Sequence, residues 1–61
     1  MILKEGSCYR VVLNTGDTIV FKFIGNSSND IYELLVFING ENKNIFDVLR
    51  PGWVEFEEVG C

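Results

Sequence analysis

The sequence predicts an all-β fold: a small five-stranded antiparallel barrel, with residues 1–61 forming one domain. Three observations carry this expectation. Short runs rich in β-branched and aromatic residues recur along the chain, among them CYRVVL, TIVFKFI and WVEFEEV. Clusters of Asn, Gly, Ser, Asp and Pro separate these runs at intervals of about eight to twelve residues, the rhythm of small β domains. Finally, 61 residues leave room for only one domain.

The elements follow in order. Residues 8–13, CYRVVL, form the first strand, and the turn residues NTGD end it. The second strand, TIVFKFI, runs over residues 18–24 into the polar tract GNSSND. The third, IYELLVFI, covers residues 31–38 and is closed by Asn39-Gly40. Asn-Gly suits a type I′ hairpin, because both central positions need positive φ. That turn pairs Ile38 with Glu41, Phe37 with Asn42, Val36 with Lys43 and Leu35 with Asn44. The fourth strand, residues 41–46, is therefore polar near its tip and reads as a sheet edge. A single 3₁₀ turn is expected over DVLR, since Pro51 stops anything longer. Pro51-Gly52 suits the centre of a type II turn, and WVEFEEV, residues 53–59, closes the domain.

Side chains alternate along a strand, so each strand has two faces. Tyr9, Val11 and Leu13, then Ile19, Phe21 and Phe23, then Val54 and Phe56 are the expected core faces. On the third strand, Tyr32, Leu34, Val36 and Ile38 are taken as core, because Glu33 breaks the other side. Ile31, Leu35 and Phe37 then face outward, near Val20 or Ile24. Barrel curvature covering both faces is one explanation, and a second copy of the chain is the other. Full burial of Leu35 and Phe37 alone would gain about 3–6 kcal/mol. Ile31, Leu35, Phe37 and Val20 are therefore the expected self-association surface, with a two-fold homodimer as the assembly.

Composition narrows the function classes. The chain is 48% hydrophobic, has no histidine, and carries nine acids against five bases for a net charge of −4. That balance disfavours a phosphate backbone as partner and fits a protein with a basic surface. No signal-peptide pattern and no apolar run of membrane-spanning length are visible, so a cytoplasmic location without membrane contact is expected. Cys8 and Cys61 are accordingly expected as free thiols, although a bridge between first and last strands is open to them.

Without histidine, Ser-His and Cys-His catalysis is ruled out. Glu55, Glu57 and Glu58 read as a solvated acidic stripe. GNSSND offers only one carboxylate, Asp30, for a hard cation. No catalytic residue, metal or cofactor is expected, and the protein is read as non-enzymatic. Lys22, Arg10 and Arg50, with Tyr9 or Tyr32, form a weaker candidate site for a nucleotide or a short single strand. Trp53 is singled out for protein binding together with Glu55 and Glu57, with which strict alternation makes it share a face. Its alternative role is to pack over the open end of the barrel.

The order of elements, with a one-turn helix before the closing strand, resembles the SH3-like and Sm-like barrels. VVLNTGDTIVFKFIG is similar to the opening of an Sm-like chain, with a strand, a glycine turn and a longer strand ending at glycine. Sm-like chains carry a late glycine-and-basic signature for RNA, whereas this chain has RPGWVEFEEV there. In SH3-like barrels an aromatic groove flanked by acids binds peptides. The expected function is a protein-interaction module, an accessory factor or inhibitor of a larger protein. A phage or mobile-element product that blocks a host enzyme is one such case. The alternative is an Sm-like or OB-like binder of RNA, single-stranded DNA or a small nucleotide.

Overall fold

The structure, a computed structural model, describes residues 3–26 and 34–61. Five strands, β1 (Cys8–Leu13), β2 (Thr18–Asn26), β3 (Leu34–Ile38), β4 (Glu41–Asn44) and β5 (Trp53–Val59), form one antiparallel sheet in the order β4-β3-β2-β1-β5. Hydrogen bonding does not close this sheet, so β4 and β5 are its two edges. The all-β class and the five antiparallel strands agree with the sequence.

Local chemistry explains the turns. Gly16 N–H bonds to the Leu13 carbonyl at 2.9 Å, and Leu13 N–H to that of Asp17 at 2.8 Å, which folds β2 onto β1. Asn39 (φ 53°) and Gly40 (φ 80°) both occupy the left-handed region that a type I′ turn requires. The β3–β4 register is the one this turn dictates, from Ile38 opposite Glu41 to Leu35 opposite Asn44.

The core lies on one face of the sheet. Tyr9, Val11, Leu13, Phe21, Phe23, Val36 and Ile38 are buried there, and Ile45 joins them from beyond β4. Cross-strand pairs set the packing, with Tyr9 opposite Phe21 and Val11 between Ile19 and Phe56. The rings of Tyr9, Phe21 and Phe56 meet with centroids 5.6–6.0 Å apart in tilted and edge geometries, which favour aromatic contact. Leu34 packs against this cluster as expected, whereas Tyr32 lies outside the described residues.

Several expectations need correction. The helical turn is α rather than 3₁₀ and starts earlier, at Ile45–Val48, with Leu49 N–H bonded to the Ile45 carbonyl at 2.9 Å. Asn44 starts it, its side-chain oxygen accepting from Phe46 N–H at 2.9 Å, so β4 ends two residues early. The following turn closes from Gly52 N–H to the Leu49 carbonyl at 2.9 Å, which centres it on Arg50-Pro51 rather than Pro51-Gly52. β2 runs on to Asn26 through a bulge at Ile24, where the register with β3 shifts. Val54 is not core. A second bulge, in the β1–β5 ladder, leaves it 63% exposed.

Cys8 and Cys61 are not free thiols but form a disulfide, with Cα atoms 5.3 Å apart. The sheet explains the bond. Cys8 stands opposite both Lys22 and Val59, so the two residues after β5 reach back to it.

Candidate functional site

The face of the sheet opposite the core is built by alternation. β1 contributes Arg10 and Val12, β2 contributes Val20 and Lys22, β3 contributes Phe37, and β5 contributes Glu55 and Glu57. The ladder sets their neighbours: Phe37 opposite Lys22, Val20 opposite Arg10, Arg10 opposite Glu57, and Val12 opposite Glu55. This face divides into an apolar half on β2–β3 and a charged half on β1–β5.

On the apolar half, Val20 is 53% exposed and Phe37 45%, while Leu35 is half-buried. Val20 and Phe37 line one open depression of about 370 Å³, together with Lys22, Gly60 and the Cys8–Cys61 bridge. The structure thus brings Val20 and Phe37 together, places Leu35 two positions along β3, and describes nothing of Ile31, which lies outside the described residues. The bridge is an unforeseen member of this group. Cys61 is exposed, whereas Cys8 beneath it is buried.

On the charged half, the Arg10 guanidinium bonds to the Glu57 carboxylate, its Nε donating at 2.7 Å. Glu55, Glu57, Arg10, Val12 and Phe56 line a shallow depression of about 260 Å³. Glu58 is on the other face, opposite Tyr9, and pairs with Lys4 at 3.8 Å.

Trp53 does not share a face with Glu55 and Glu57. The bulge at Val54 sets it opposite Leu13, on the core side, where its ring meets Phe56 edge-on at 5.3 Å. At 45% exposed, it half covers that end of the core, which matches the alternative role drawn from sequence. All three residues nevertheless lie along the same edge of the sheet, because β5 pairs only with β1.

Of the basic constellation, Arg10 and Lys22 share the outward face on neighbouring strands, Arg50 lies in the loop before β5, and Tyr32 lies outside the described residues. Tyr9 is 3% exposed, and its hydroxyl accepts from Lys4 N–H at 2.8 Å, so no base can stack on it. Arg10 is engaged by Glu57, and Arg50 is held in its loop by Asp47 at 3.1 Å. Among the described residues, no group of three or more Cys, Asp or Glu side chains is arranged to hold a metal ion, and no helix is long and apolar enough to cross a membrane. Comparison with protein-family models, curated proteins and solved structures finds no match.

Proposed function

We propose that the chain is a non-enzymatic protein-interaction module, built on an SH3-like half-open barrel, which self-associates through β2–β3 and binds another protein along β5. The observation that carries this reading is the exposed apolar strip of Val20 and Phe37, with a single charge, Lys22, inside it. Exposed apolar strips of this kind mark interaction sites. A second copy seated on the β2–β3 half sets the apolar side chains of the two copies against each other, with β1 lying between that half and β5. The small core of a 61-residue chain also favours a second copy as a source of stability.

The strand order, with one helical turn between β4 and β5, supports the barrel assignment. The role of accessory factor or inhibitor of a larger protein follows from binding surfaces without catalytic groups. Arg10 and Arg50 held in ion pairs and Tyr9 buried in the core support protein binding over nucleic-acid binding. The bridge supports an oxidising compartment over the cytoplasm, where Cys8 and Cys61 would stand as thiols.

Sedimentation equilibrium tests the self-association. The wild type is expected to run as a dimer at micromolar concentration, and Phe37→Glu as a folded monomer. A wild type that is monomeric throughout that range overturns the proposal.

A further inference from the structure

We infer that the free edge of β5 takes up an extended segment of another protein whose residues alternate between basic and apolar, adding it to the sheet as a sixth strand. The inference rests on the reading of β5 as the partner-binding edge and names what that partner presents. Two independent observations carry it. First, β5 is seven residues long and pairs only with β1, so half of its backbone N–H and C=O groups point away from the sheet. Such an edge is a template for strand addition. Second, the two faces of β5 differ in chemistry beside that edge. One face offers the 260 Å³ depression with Glu55 and Glu57 at its sides and Val12 in its lining. Glu57 is already engaged by Arg10, whereas Glu55 has no ion pair among the described residues. A lysine or arginine fits there, its aliphatic stem on Val12 and its charge on Glu55. The other face offers the half-exposed Trp53 ring against Phe56, which suits an apolar side chain.

An added strand sends successive side chains to opposite faces, so a partner that satisfies both must alternate basic with apolar. A second copy of this chain is a poor occupant. Antiparallel pairing of β5 with β5 sets the Glu55 and Glu57 carboxylates of the two copies against each other.

The test uses two synthetic heptapeptides of the same composition, one alternating lysine and valine and one with its lysines in a block. Trp53 fluorescence and amide hydrogen exchange of the full chain are the readouts. The alternating peptide is expected to bind saturably and to protect β5 amides. The blocked isomer, and the alternating peptide N-methylated along its pairing edge, should bind weaker by about tenfold or more. Glu55→Lys should weaken binding comparably, and Lys43→Glu on the opposite edge should leave it unchanged. Equal binding of the two isomers, protection at β4 instead of β5, or β5 protected by self-pairing without peptide each overturns the inference. A parallel titration with lysozyme, a folded basic protein, separates the two levels. If lysozyme perturbs Glu55 and Glu57 while neither peptide binds, strand addition is wrong and protein binding along β5 stands. If neither lysozyme nor peptide binds, both fall.

Discussion

At the scale of single residues, Asn14 shows how one polar side chain joins two distant turns. Its amide donates to the Pro51 carbonyl at 3.0 Å, and its backbone N–H donates to the Gly52 carbonyl at 2.9 Å. Gly52 has φ 92°, and an added Cβ would collide with the Asn14 side chain. Backbone strain and steric clash therefore act together at Gly52, and only the clash depends on Asn14. Asn14→Ala should cost about 1 kcal/mol for the lost hydrogen bond. Gly52→Ala should cost about 1–3 kcal/mol. The double variant should fall short of the sum by about 1 kcal/mol, because the collision is then gone. Urea unfolding of the four proteins checks this, and strict additivity would show that the two residues do not touch in solution.

At the scale of elements, the β3–β4 hairpin depends on its turn. Gly40→Ala places a Cβ at φ 80° and should destabilise the protein by about 1 kcal/mol, whereas Asn39→Gly should be nearly neutral, both measured by chemical denaturation. This hairpin was legible in the sequence down to its register because Asn39-Gly40 permits one turn type and that turn permits one pairing. Bulges have no such local signature. At Ile24 and Val54 the period-two pattern continues in the sequence while the ladder slips by one residue. The slip is decided by pairing with β3 and β1, and for that reason strict alternation puts Trp53 on the wrong face. The helical turn does have a readable sign in the sequence: Asn44 is a preferred N-cap residue, and Asp47 puts an acid in the first turn. The core faces of β1 and β2 were legible throughout, since bulky side chains alternate there without interruption.

At the scale of the whole molecule, two features set the behaviour, the disulfide and the outward face. The bridge spans a sequence separation of 53, so in the chain-entropy model it restrains the unfolded chain by about 4 kcal/mol. That is a large share of the stability of a domain this small. Cys61→Ser, or reduction of the wild type, should lower the unfolding free energy by about that amount, read from urea titration of Trp53 fluorescence with and without reductant. A loss below about 1 kcal/mol would show that the unfolded chain is already restrained in some other way. Neither cysteine announced the bond, because nothing near Cys8 or Cys61 in sequence says that β1 and β5 are neighbours. The sheet order supplies that fact. It also puts Val20 and Phe37 on the side of the sheet away from the core, which is the basis of the proposed interface. Isotope-filtered NOE spectroscopy on an equal mixture of labelled and unlabelled protein tests that interface most directly. Intermolecular NOEs between the Phe37 ring and the Val20 and Leu35 methyls are expected. A spectrum of the concentrated mixture with no intermolecular NOE at Phe37 would contradict the account.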